Sequence, residues 1–209
     1  MSIQTRLVDY ESGGNTFEGL LAWDDAVDEP RPGVLVAHTI AGRSAHEEGR
    51  AIRLAELGYV GFAADVYGKG TQTTDPDRNR SMMDALRDDR AELQVRLSSS
   101  LDCLCGQAEA DPGRMAAIGF CFGGLSVLDM ARVGMDVKGV VSLHGIFIPP
   151  DNTTGNSISA KVLVLHGWED PLATPDQVVG LADELTSLRT DWQIHAYGNT
   201  THAFTNPVA

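Results

Sequence analysis

The chain has 209 residues, 43% of them hydrophobic, and a formal net charge of −13. That length suits one α/β domain burying roughly 70% of its extended surface, and the acidity excludes a nucleic-acid partner, because phosphates call for a basic surface. The opening Met1-Ser2-Ile3-Gln4-Thr5-Arg6 has no charged-then-apolar leader, no apolar run is long enough to span a membrane, and three cysteines fit a reducing compartment. The expectation is a cytoplasmic protein with no membrane partner.

In chain order, Thr5 to Tyr10 and Phe17 to Trp23 flank Gly13-Gly14-Asn15 and predict a hairpin. Pro30-Arg31-Pro32 separates it from Val34 to His38, an apolar run that reads as a buried strand. Ala45 to Leu57 has a helical pattern closed by Gly58, with Glu47 and Glu48 assigned to its water-facing side. Tyr59 to Ala64 is the next strand. A Gly/Thr-rich loop, Gly68 to Asp77, leads into one long helix ending at Cys105, whose charged residues from Asp84 to Arg96 form a solvated face. Met115 to Phe120 reads as a strand and Leu125 to Val133 as a helix. Val137 to His144, Val162 to Gly167 and Trp192 to Tyr197 are further strands. Such alternation implies an α/β fold, with a mostly parallel central sheet and helices on both faces, formed by one domain over residues 1–209.

The chemistry-bearing motif is Gly119-Phe120-Cys121-Phe122-Gly123, a G-x-C-x-G string where a strand meets a helix. A G-x-S-x-G turn at that junction is a nucleophile elbow, which holds its side chain above the sheet edge at a helix N-terminus. Such an elbow needs an acid and a histidine downstream, in that order. Asp170 follows the strand Val162 to Gly167, and His202 follows the last strand, after the loop Gly198-Asn199-Thr200-Thr201. His38, His46, His144, His166 and His195 are rival bases, but only His202 lies beyond the last strand, in a loop able to reach back. Ser126 and Ser142 lack elbow glycines. Cys103-Leu104-Cys105 reads as core packing, and no metal site is expected.

With these residues in place, the chain resembles the dienelactone hydrolase family of α/β hydrolases from about Gly33 to its end. The resemblance is carried by Gly119 to Gly124, Ala64-Asp65-Val66-Tyr67-Gly68, His166-Gly167-Trp168-Glu169-Asp170-Pro171 and Thr201-His202-Ala203-Phe204. It implies a cofactor-free hydrolase of small ester or lactone substrates. In that scheme Cys121 is the nucleophile, His202 the base, Asp170 its orienter, and the N–H groups of Phe122 and Ile40 the oxyanion hole. Two positions depart from the family. Thr39 stands where the family has a glutamate beside the resting thiol, and Asn206 stands where it has a carboxylate-binding arginine. Arg78, Arg80 and Arg87 are candidates for a second such arginine. Thr39, His144, Trp168 and Arg87 are assigned to the substrate pocket, with Phe122 and Phe147 as further wall candidates.

Family members continue past the histidine loop into a final helix, whereas this chain ends at Pro207-Val208-Ala209. Either the chain is truncated or the last helix is absent; an absent helix would uncover an apolar sheet face and favour dimerisation or lower stability, so a monomer or a homodimer is expected. The alternative function is a non-catalytic or redox-sensing α/β fold in which Cys121 is simply a reactive thiol.

Overall fold

The computed structural model describes residues 2–206; Pro207-Val208-Ala209 lie outside the described residues. Among the described residues eight strands form one sheet: β1 (Ile3–Ser12), β2 (Asn15–Asp24), β3 (Arg31–Ala37), β4 (Val60–Ala63), β5 (Ala110–Phe120), β6 (Gly139–Leu143), β7 (Lys161–Gly167) and β8 (Trp192–Tyr197). Their order is β1-β2-β4-β3-β5-β6-β7-β8. The β1–β2 hairpin and the β2–β4 pair are antiparallel, and every later pair is parallel. The mostly parallel sheet read from the sequence is the sheet observed.

Side-chain alternation along the strands divides the core in two. Val36, Ala63 and Phe120 meet Ala51 and Ala55 of helix α1 (Ala45–Glu56) on one face. Leu35, Phe62 and Ala117 point to the other face and join the larger core. That core is covered by α2 (Pro76–Asp88), α3 (Arg90–Cys105), α4 (Phe122–Arg132) and α5 (Pro175–Ser187), through residues such as Met83, Leu97, Leu125 and Leu181. On the α1 side, a groove of about 440 Å³ lies open over β5 to β8, lined by Ala116, Ile118, Val141 and Leu163 among others.

Two elements differ from the sequence expectation. The single long helix is two, because Asp89 leaves helical geometry (φ −111°, ψ 80°) and its side chain accepts from Glu92 N–H, so it closes α2 and caps α3. Glu47 does not face water. It is fully buried on the inner side of α1, drawn in by hydrogen bonds to the loop preceding that helix.

Candidate active site

The site lies at the carboxyl edge of the parallel strands, where open α/β sheets place their ligands. A cavity of about 440 Å³ is lined by the loop after β3 (Thr39, Ile40, Ala41, Ser44), His46 of α1, Cys121 after β5, His144 after β6, and His202, Ala203, Thr205 and Asn206 after β8.

Cys121 sits between β5 and α4 with φ +56° and ψ −115°, the left-handed region that non-glycine residues seldom occupy. The flanking glycines have a different task, which is close approach. A Cβ at Gly119 would lie 2.0 Å from the Gly123 carbonyl oxygen, and one at Gly123 would lie 2.2 Å from the Ala37 carbonyl oxygen. The glycines let α4 sit hard against β3 and β5, while the cysteine itself takes the strained turn. Phe122 is the first residue of α4, so its N–H has no intrahelical acceptor.

Asp170 is buried at the turn after β7. One carboxylate oxygen accepts from Leu172 N–H at 2.8 Å, and the other meets His202 Nδ1 at 2.7 Å. The His202 loop is tied to the same turn: Glu169 N–H donates to the Thr200 carbonyl at 3.0 Å, and Trp168 N–H to the Tyr197 carbonyl at 2.9 Å. Among the described residues His202 Nε2 is buried with no hydrogen bond of ordinary geometry, and Cys121 acts on the imidazole through its electrostatics. Burial alone would lower the His202 pKa. The hydrogen bond and negative charge of Cys121, together with those of Asp170, outweigh it and lift the pKa from 6.5 to about 9.

Across the cavity, the loop from Thr39 to Ser44 is held by its own bonds. Thr39 N–H donates to Glu47 at 3.1 Å, Ala41 N–H to Thr39 Oγ1 at 3.3 Å, and Gly42 N–H to the Thr39 carbonyl at 3.2 Å. Tyr67 Oη donates to the Ile40 carbonyl at 3.2 Å. Among the described residues, Ile40 N–H and Phe122 N–H have no protein acceptor. Both belong to residues next to the cavity wall, the arrangement an oxyanion would need.

The structure also sorts the other histidines. His144 lies in the cavity wall with φ +39°. Its Nδ1 accepts from Cys121 N–H at 3.2 Å, and its Nε2 meets Thr205 Oγ1 at 2.8 Å, so it ties the elbow to the His202 loop. Burial, then the neighbouring His202 charge, lower its pKa to about 4, which keeps it neutral. His38 bridges Thr39 O and Val66 N–H, and His166 contacts the Ala173 carbonyl; both are buried props. His195 is exposed on β8. His46 lines the cavity with its ring edge-on to Phe120.

Thr39 and His144 line the cavity, but Trp168 and Arg87 do not. The turn that directs Asp170 inward leaves Trp168 pointing outward, 43% exposed. Arg87 is on α2, paired with Asp84 and Asp88, in a separate depression beside Ile148 and Pro149. Arg78 and Arg80 are exposed on the same helix, and Phe122 and Phe147 are core side chains. Ser126 is buried in α4, donating to the Phe122 carbonyl, and Ser142 is buried under Gly145, so neither serine is placed as a nucleophile. The sequence assigns no role to Ser44 or Thr205 and places Glu47 toward water. The Ser44-x-x-Glu47 capping box was the available signal for Ser44 and Glu47.

Comparison with known proteins agrees with this architecture. Residues 17–209 match the model of the dienelactone hydrolase family, so the likeness begins in β2, ahead of Gly33. A dienelactone hydrolase-like promiscuous phosphotriesterase from metagenomic libraries is 38% identical, covering 100% of this chain and 87% of its own, with a TM-score of 0.95. A protein of Synechocystis named as a putative carboxymethylenebutenolidase is 27% identical, over 98% of this chain and 87% of its own. An uncharacterised protein of Caenorhabditis elegans is 32% identical, over 57% of this chain and 77% of its own. The chain therefore belongs to the dienelactone hydrolase family and, through it, to the ester and lactone hydrolases.

Proposed function

We infer that this protein hydrolyses an uncharged ester or lactone through a thioester on Cys121. The observation that carries the reading is the convergence on one cavity of Cys121, the Asp170–His202 pair and the two uncommitted N–H groups of Phe122 and Ile40. His202, its pKa raised to about 9, takes the proton of the Cys121 thiol and leaves the sulfur as the attacking nucleophile. The thiolate attacks the carbonyl carbon, and the negative charge moves to the carbonyl oxygen, where Phe122 and Ile40 N–H stabilise it. The tetrahedral adduct collapses, the C–O bond to the leaving group breaks, and His202 gives that oxygen its proton. Water then enters, passes a proton to His202 and adds to the thioester. Expulsion of the thiolate releases the acid. Asp170 holds the His202 tautomer and stabilises its charge.

An uncharged substrate fits the lining better than an anionic one. No lysine or arginine lines the cavity among the described residues, and the whole chain is strongly acidic. A soluble, cytoplasmic, cofactor-free enzyme acting as a monomer or homodimer is the accompanying reading. One relative suggests an extension: the dienelactone hydrolase-like promiscuous phosphotriesterase is 38% identical, and a phosphotriester is likewise uncharged.

The test is a panel of a neutral activated ester, its carboxylated analogue, a lactone and a neutral phosphotriester, followed by intact-mass analysis. Turnover of the neutral ester is expected with an acyl mass on Cys121. Cys121→Ala and His202→Ala should each lose about 10³-fold or more of that turnover. Oxidation of Cys121 with no ester turnover would make the protein a thiol sensor instead. Preference for the carboxylated analogue would overturn the uncharged-substrate reading.

A further inference from the structure

Glu47 is a fully buried carboxylate with no cationic partner among the described residues, because buried Arg43 pairs with Glu18 and Glu48 instead. Burying an ionised carboxylate is costly unless donors satisfy it. Here three do. One oxygen accepts from Ser44 N–H at 3.0 Å and Ser44 Oγ–H at 2.7 Å, and the other accepts from Thr39 N–H at 3.1 Å. A capping box needs only the bonds to Ser44. The bond to Thr39 does something a cap does not: it ties the far end of the loop to the same rigid helix. Ile40, next to Thr39, carries an N–H that donates to no protein acceptor, and its carbonyl is held from the other side by Tyr67 Oη.

We propose that Glu47 is a positioning residue for the oxyanion hole. Its carboxylate clamps both ends of the Thr39–Ser44 loop, so the Ile40 N–H is already aimed when charge develops on the substrate oxygen. Preorganised donors act because they need no rearrangement in the transition state. Glu47 itself is not among the residues lining the cavity, although Thr39 and Ser44, which it holds, are. This proposal rests on the ester-hydrolase reading and deepens it.

Glu47→Gln keeps the size but offers one acceptor oxygen, and its amide nitrogen, a donor only, then faces either Thr39 N–H or Ser44 N–H with no lone pair to accept it. The experiment compares two reactions of Cys121 in wild type and E47Q. Acylation by a neutral ester builds an oxyanion; alkylation by iodoacetamide displaces iodide and builds none. E47Q is expected to lower the acylation rate about 10- to 100-fold, through kcat rather than KM, while alkylation stays within about twofold. Glu47→Asp, charged but shorter, should lose less and serves if E47Q does not fold. Hydrogen exchange over residues 38–44 should quicken in E47Q. Equal loss in both reactions would assign Glu47 to general integrity and overturn the proposal, as would no loss in either. A wild type that forms no acyl-enzyme, with alkylation and exchange as expected, would remove the hydrolase reading and the oxyanion role, leaving Glu47 as a loop clamp only.

Discussion

His202 and His144 lie with ring centroids 5.0 Å apart, yet the fold drives them in opposite directions. His202 lies beside Cys121 and Asp170, whose hydrogen bonds and electrostatic pull outweigh its desolvation. His144 is buried, has no carboxylate in hydrogen-bond contact among the described residues, and faces the His202 charge, so it stays neutral and accepts the Cys121 N–H. Two imidazoles of one type thus take different tasks through their surroundings. If the His202 imidazolium supplies the leaving-group proton, kcat/KM should fall as pH rises through about 9, the pH at which that proton leaves. Asp170→Asn removes one of the charges holding the proton. The alkaline limb should then move to lower pH, and turnover should drop on the order of 10²- to 10⁴-fold. A pH–rate profile of both proteins checks this; an unmoved limb would mean that another group sets it.

The strand–turn–helix unit from β5 to α4 shows what the glycine spacing is for. In sequence, G-x-C-x-G announces a sharp turn. In the structure the strained residue is Cys121, and the two glycines are gaps through which backbones approach within contact distance. Gly123→Ala would drive a methyl group into the Ala37 carbonyl, an atom fixed in β3. Overpacking against backbone of this kind is expected to cost about 3 kcal/mol. It should also displace the oxyanion loop, so the urea midpoint and ester turnover should fall together. An unchanged midpoint would show that α4 can retreat. The break at Asp89 teaches the same lesson from the other direction. A helical pattern with polar faces continues through it, but one aspartate caps one helix while closing another, and periodicity carries no sign of the interruption.

Over the whole molecule, the two site histidines give stability a shape with pH. His202 has a folded pKa above its ordinary 6.5, so its contribution is complete below about 6.5 and is lost as pH rises through about 9. His144 has a folded pKa below 6.5. Its neutral burial costs nothing above about 6.5, and stability falls as pH drops from there toward about 4, where the folded protein too takes the proton. The joint contribution of these two histidines is therefore largest near pH 6.5. Thermal melts across pH 4 to 10 should show this dome, and His144→Gln should flatten the acid side alone. An acid limb unchanged in that variant would assign the loss to His166, whose pKa burial also lowers, or to carboxylates.

The linear chain by itself determined the layered α/β fold, the near-parallel sheet, and the order cysteine, aspartate, histidine. Each is written in short-range pattern: apolar runs of strand length, a glycine-spaced turn, and polar residues just past strand ends. Tertiary structure decided the rest. It turned Glu47 inward to serve a loop that begins eight residues earlier, joined His144 to both halves of the site, and left Trp168 and Arg87 outside it. Which way a side chain turns at the end of a strand or on a helix depends on what packs against it. That neighbour comes from a distant part of the chain, so no local pattern contains it.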